Sequence, residues 1–175
     1  KDYVLEIGQR ALDDLSALYE FRPEGPILIE VFPQHDHFAV RTLGLPGMIG
    51  ALGACFGKVV TLDSPRARTP GEFNWESTLW HEMAHVVALQ MSNQRVPRWL
   101  TEGLSTFEEK RARGDWARDQ DLGFANDLNQ DSVLSLRELN GGFSRPETIS
   151  MAYFQASVLV AHIIEAYGES TIHRL

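Results

Sequence analysis

The segment from residue 75 to residue 91 constrains the fold more than any other part of this 175-residue chain. Apolar side chains recur there at steps of three and four residues, which predicts an amphipathic helix: Trp75, Leu79, Met83, Val86, Val87 and Met91. Within this helix the letters "HEMAH" place His81 and His85 four residues apart, with Glu82 directly after the first histidine. Residues four apart share one helix face, so both imidazoles can point at one metal ion.

Two histidines rarely suffice, because a catalytic zinc site takes three protein ligands and leaves one position for water. Seventeen residues beyond His85, the segment "VPRWLTEGLS" offers Glu102 near the start of a second predicted helix. Antiparallel helices joined by a short loop can bring such positions face to face, and Gly103 is expected to leave space beside the metal. Glu108 and Glu109 are alternative ligands, but they lie farther along, next to a charged run.

Glu82 is rotated off the line that joins the two histidines. It is therefore placed to accept a proton from water rather than to bind the metal, which is the H-E-x-x-H arrangement.

The remaining patterns predict an α+β fold. Helical spacing predicts helices over residues 3–20, 97–114, 135–139 and 147–167, and β-rich runs predict strands over 27–32, 38–44 and 58–65. No element is predicted for the polar residues 115–131. Because strands precede most of the helices, a small sheet packed on helices is favoured over a doubly wound sheet.

The composition excludes several classes of protein. The net charge is −8 and the 16 Lys and Arg residues are scattered, whereas a nucleic-acid-binding protein needs a concentrated positive surface. Cys55 is the only cysteine, which excludes an internal disulfide and a thiolate-rich metal site. No apolar run approaches the length of a membrane span, so we expect none in this segment.

The segments "HEMAH" and "VPRWLTEGLS" resemble the gluzincin metallopeptidases, and among them the bacterial peptidase MA-like domains, whose third ligand lies in a "WL-x-EG" segment. The resemblance is specific over residues 75–107. It implies a zincin-like domain in which a small mixed β-sheet packs on the H-E-x-x-H helix. It also implies one zinc ion per chain, held by His81, His85 and Glu102, with Glu82 as the general base. Thr101 stands where better-known gluzincins often carry Asn.

The same resemblance implies hydrolysis of peptide bonds by a metal-activated water whose proton Glu82 accepts. Tyr153 is the expected hydrogen-bond donor to the oxyanion, with His162 as the alternative. The two are nine residues apart on one predicted helix, so they point to nearly opposite faces. The run "GACFGKVVTLD", residues 53–63, is the expected edge strand for pairing with an extended peptide or protein substrate.

Two other functions are open at this point: an inactive zincin-like domain that binds peptides or regulates a partner, and a zinc hydrolase of non-peptide substrates. Glu82 argues against the first, because an inactive relative is expected to lose this base first. His35 and His37, with Asp36, would form a second metal site if they alternated on a strand, but a polar turn is the preferred interpretation.

The chain begins at Lys1 rather than Met and ends at Leu175 inside a patterned region. We therefore expect residues 1–175 to be a single catalytic domain excised from a longer protein, in which flanking repeat domains could recognise partners. We favour a bacterial periplasmic or secreted location over a cytoplasmic one.

Overall fold

The structure is a computed structural model that describes residues 2–46, 50–71, 73–116 and 133–174. The chain divides into two compact units, Lys1–Gln90 and Met91–Leu175. Helices and a three-stranded sheet make up the described residues, which confirms the predicted α+β class. Residues 117–131, most of the segment for which no element was predicted, lie outside the described ranges.

Among its described residues, the first unit contains the sheet and three helices. In chain order its elements are α1 (Asp2–Leu18), β1 (Leu28–Phe32), α2 (His35–Leu43), β2 (Gly53–Cys55), β3 (Val59–Asp63) and α3 (Trp75–Met91), the last of which ends one residue into the second unit. The strand order is β1-β3-β2, with β1 parallel and β2 antiparallel to β3. The sheet is therefore small and mixed, as predicted. The edge strand predicted over residues 53–63 is confirmed for β2 but wrong for β3, which is the central strand of the sheet.

Residues 38–44 form most of α2 and its C-terminal cap, so the strand predicted there is wrong. Phe38 is fully buried, and the Thr42 hydroxyl lies 2.9 Å from the Thr61 hydroxyl of β3. The helix ends at Leu43 and is capped by Gly44, whose φ of 72° few other residues adopt. A short apolar run has no period long enough to separate helix from strand, and packing against β3 decides the outcome here.

α3 has the predicted bounds, but it is buried on nearly all sides rather than amphipathic. Its buried residues are Trp75, Ser77, Leu79, Trp80, Glu82, Met83, Ala84, His85, Val86, Val87 and Ala88. Before its first turn, the Asn74 side chain accepts two backbone N–H groups, at 3.1 and 3.2 Å, and so caps the helix. Near its end, Gln90 accepts the Glu24 N–H at 2.8 Å and donates to the Gly57 carbonyl at 3.0 Å. The bond to Gly57 ties α3 to the turn between β2 and β3, and the bond from Glu24 ties it to the segment before β1.

The second unit is helical among its described residues. Its elements are α4 (Arg98–Ala112), α5 (Leu136–Gly142), α6 (Ile149–Tyr167) and a short 3-10 helix (Glu169–Arg174), so the three helices predicted in this region are confirmed. Asn140 of α5 accepts the Trp99 N–H at 3.0 Å, which fixes the start of α4. A buried cluster of Leu139, Phe143, Ala152 and Ala156 joins α5 to α6.

By length and composition, α6 is apolar enough to cross a membrane, which the sequence interpretation had not recognised. The core helix of a soluble protein can have the same length and composition. Six residues of α6 are buried: Met151, Ala152, Gln155, Ala156, Ser157 and Val160. The absence of a membrane span stays a prediction.

Candidate metal centre

His81 and His85 point toward each other from successive turns of α3. Their Nε2 atoms are 3.1 Å apart, and their ring planes meet at 76° with the centroids 4.7 Å apart. His85 is buried and His81 is half-buried. Two ligand atoms each 2.1 Å from a tetrahedral zinc ion would lie about 3.4 Å apart. The two imidazoles therefore have the spacing that a shared zinc ion requires.

Glu102 lies in the second turn of α4. The Arg98 guanidinium, one turn earlier in α4, donates a long hydrogen bond of 3.5 Å to Glu102 Oε1. The Glu102 side chain is 12% exposed. Among the described residues, one group of His, Cys, Asp or Glu could hold a metal ion, and its members are His81, His85 and Glu102. Two nitrogens and a carboxylate oxygen form a donor set that suits zinc.

Glu82 is rotated by about 100° around the helix from His81, so it faces a different neighbour. Its side chain is almost completely buried, at 5% exposure. It lies against the edge strand β2, where a Cβ added to Gly53 would come within 2.6 Å of Glu82 Oε1. The carboxylate thus occupies the space between α3 and β2.

Cys55 lies two residues after Gly53, on the same side of β2. Burial raises the pKa of its thiol to about 12, with a smaller contribution from the negative charge of Glu82. Its sulfur accepts the Gly57 N–H at 3.3 Å, which works in the opposite direction. Cys55 is therefore a neutral thiol beside the candidate site and not a nucleophile.

Tyr153 of α6 packs edge-to-face against Phe143, with ring centroids 5.1 Å apart. The guanidinium of Arg98 lies over Phe143 at 5.4 Å from its centroid, and Arg98 in turn contacts Glu102. Tyr153 therefore belongs to a row of side chains that ends at Glu102, and its role as oxyanion donor stays a prediction. His162, the alternative donor, is exposed on the same helix.

Two expectations about α4 are changed by the structure. Gly103 does not serve to leave space for a metal, because a Cβ there would lie 2.7 Å from the Ala156 carbonyl oxygen of α6. Instead it lets α4 and α6 approach closely. Glu108, an alternative ligand, is buried and receives the Arg111 guanidinium, with Nε at 2.9 Å. Its carboxylate is thus part of an ion pair within α4, and neither Glu108 nor Glu109 belongs to the metal-binding group.

The expected turn at His35, Asp36 and His37 is the first turn of α2, and the alternative of a strand is also wrong. His35 Nδ1 lies 2.7 Å from Asp63 Oδ2, to which Arg68 also donates at 3.0 Å. Asp36 and His37 are exposed, and the described residues show no metal-binding group here. The sequence interpretation missed Gly53, Asp63 and Arg68 because each acts through a partner distant in the chain, which leaves no local pattern.

The comparison with protein families bears on the same region. A model of the peptidase MA superfamily matches residues 67–175, more than half of the chain, and this range includes α3 and α4. Searches of curated proteins and of solved structures found no match. The mixed sheet packed on α3 and the family match agree on a zincin-like fold. The chain therefore belongs to the peptidase MA superfamily.

Proposed function

We propose that this chain is a zinc-dependent metallopeptidase of the gluzincin type, which hydrolyses peptide bonds in a peptide or protein substrate. The observation that carries the proposal is the pair of imidazoles on α3, whose Nε2 atoms lie 3.1 Å apart, and Glu102 is the carboxylate that could complete their metal-binding group. Membership of the peptidase MA superfamily supports a peptidase-like enzyme. The buried Glu82 beside the histidine pair adds the base that such a reaction needs.

In this mechanism, His81, His85 and Glu102 would hold the zinc ion. When bound, zinc would supply Lewis acidity, which polarises a carbonyl group and makes water nucleophilic near neutral pH. Glu82 accepts the proton of the attacking water and delivers it to the departing amine. Tyr153 is the proposed hydrogen-bond donor to the oxyanion of the tetrahedral intermediate.

The edge strand β2 supports the choice of a peptide substrate. β2 pairs with β3 on one side, and an extended peptide can add to the opposite side of an edge strand through its backbone. Because Gly53 and Glu82 are in contact, a peptide bound there would run beside the proposed base.

The first experiment combines metal analysis of the purified protein with cleavage of a peptide library. We expect one zinc ion per chain in the wild type and in Glu82→Gln, with cleavage reduced about 10²- to 10⁴-fold in the variant. A wild type without stoichiometric metal would contradict the proposal, as would undiminished cleavage by Glu82→Gln. Cleavage of peptides also distinguishes this function from an inactive peptide-binding domain and from a hydrolase of other substrates.

The ligand assignment is tested by a matched pair of variants in α4. Glu102→Gln removes the third ligand, so we expect zinc affinity to fall by about 100-fold or more in a titration with a chromophoric chelator. Glu109→Gln makes the same chemical change at a residue of α4 that is not a proposed ligand, and it should leave the zinc affinity unchanged. A loss in Glu109→Gln equal to that in Glu102→Gln would show that the assignment is wrong.

A further inference from the structure

Gly53, the first residue of β2, lies directly against the side chain of Glu82. A Cβ atom on Gly53 would be 2.6 Å from Glu82 Oε1 and 2.9 Å from its Cγ. Non-bonded heavy atoms are most stable about 3.5–4.0 Å apart, so both distances are strongly repulsive. Any other residue at this position would displace either the strand or the carboxylate.

The strand is held in place by its neighbour. Gly53 pairs with Leu62 of β3, and just beyond it the Leu52 carbonyl accepts the Asp63 N–H at 2.9 Å. The same Cβ would also lie 2.8 Å from Leu62 Cδ2, and Leu62 is fully buried. The backbone of β2 therefore cannot shift without disturbing the sheet.

The helix on the other side is also fixed. Asn74 caps the start of α3, and Gln90 ties its end to the turn between β2 and β3. Met83 and Val86, which follow Glu82 along the helix, are 1% and 0% exposed. Because both backbones are held in place, the overlap with Glu82 would be relieved by movement of the Glu82 side chain.

Cys55 is the other β2 residue on this side of the strand, two positions after Gly53. The two β2 residues on this side are thus a glycine and an uncharged thiol, which leave the carboxylate its space.

We propose that Gly53 is a positioning residue for Glu82, because its missing side chain leaves the space that the Glu82 carboxylate occupies beside β2. The catalytic consequence rests on the proposed function, whereas the contact between the two residues does not. Misplacement of a catalytic group by about 1 Å can cost on the order of 10²-fold in rate.

The contact is tested without catalysis, by thermal unfolding of the metal-free protein. Gly53→Ala should lower the melting temperature by roughly 5 °C, because it overfills a packed site. In a Glu82→Ala background the same change should cost less than half as much, because the overlaps with Oε1 and Cγ are gone. Equal losses in both backgrounds would overturn the inference.

Two further variants make this cycle safe to interpret. Gly50→Ala is the matched control, since Gly50 is exposed and a Cβ there would meet nothing within 4 Å. It should leave the melting temperature unchanged. If Gly53→Ala fails to fold, the same cycle is measured in a Leu62→Val background, which removes the second overlap and leaves the one with Glu82.

The catalytic consequence is tested with the zinc-loaded protein. Gly53→Ala should lower kcat about 100-fold with KM and zinc stoichiometry unchanged, while Gly50→Ala behaves like the wild type. An unchanged kcat in Gly53→Ala, in a protein whose cleavage depends on Glu82, would overturn the inference and leave the proposed function intact. If the wild type cleaves nothing, the proposed function fails, and the stability cycle still decides whether Gly53 positions Glu82.

Discussion

The reactivity of Cys55 is decided by the surroundings of a single sulfur atom. Burial raises its pKa to about 12, so the thiol holds its proton far above neutral pH. The thiolate is the reactive form of cysteine, and at pH 8 roughly one thiol in ten thousand would be ionised here. For a cysteine with a pKa of 9.0, which is the unperturbed value, the fraction would be about one in ten.

We therefore predict that iodoacetamide modifies Cys55 about 1,000-fold more slowly in the folded protein than in urea at pH 8. The labelling rate of the folded protein should rise about tenfold per pH unit, because each unit below the raised pKa increases the thiolate fraction tenfold. Mass spectrometry of timed samples measures both rates. Folded and unfolded rates within a factor of about ten of each other would contradict the predicted protonation.

The packing of two helices, α4 and α6, depends on Gly103, which lets their backbones lie in direct contact. A Cβ at this position would lie 2.7 Å from the carbonyl oxygen of Ala156, 2.8 Å from its carbonyl carbon and 3.0 Å from its Cβ. Atoms of a helix backbone cannot rotate out of the way as the end of a side chain can. The two helices would have to move apart if residue 103 had a side chain.

Gly103→Ala should therefore destabilise the protein by about 1–3 kcal/mol, measured by urea unfolding. The sign is diagnostic, since alanine in a helix interior is otherwise about 1 kcal/mol more favourable than glycine. Gly141→Ala in α5 is the control, because a Cβ there meets nothing within 4 Å. It should leave the protein equally or more stable, and a stabilising Gly103→Ala would refute the close approach.

Prediction from sequence succeeded for elements whose own residues show a clear helical period. It failed for elements whose structure depends on contacts with residues distant in the chain. α3 was predicted with its observed bounds, because its apolar period continues over several turns. α2 was predicted as a strand, since its helical state depends on burying Phe38 and on the bond between Thr42 and Thr61.

For the candidate site, the spacing of His81 and His85 is local and was readable from the sequence. The contact of Gly53 with Glu82 joins two elements, and a glycine gives no sign of what it lies against. The function predicted for Gly103 was wrong for the same reason, because only the position of Ala156 shows which space the glycine leaves free.

The whole molecule carries a net charge of −8, and this complicates any measurement of bound metal. Exposed carboxylates attract divalent cations weakly, so metal content alone does not identify a site. A ligand bound specifically by the folded state has a clearer signature, because it raises the free energy of unfolding by mass action. Stability measured with and without zinc therefore tests the proposed site in the intact chain.

We predict that zinc at 100 times its dissociation constant stabilises the folded protein by about 2.7 kcal/mol, which raises the melting temperature by roughly 5–10 °C. A chelator should reverse the shift in a calorimetric scan. In His81→Ala/His85→Ala neither zinc nor the chelator should change the melting temperature, because weak surface binding does not distinguish the folded state strongly. Glu102→Gln keeps the two histidines and should show a reduced shift at the same zinc concentration. A full shift in the double histidine variant would mean that zinc stabilises the protein at another site, and the proposed centre would be wrong.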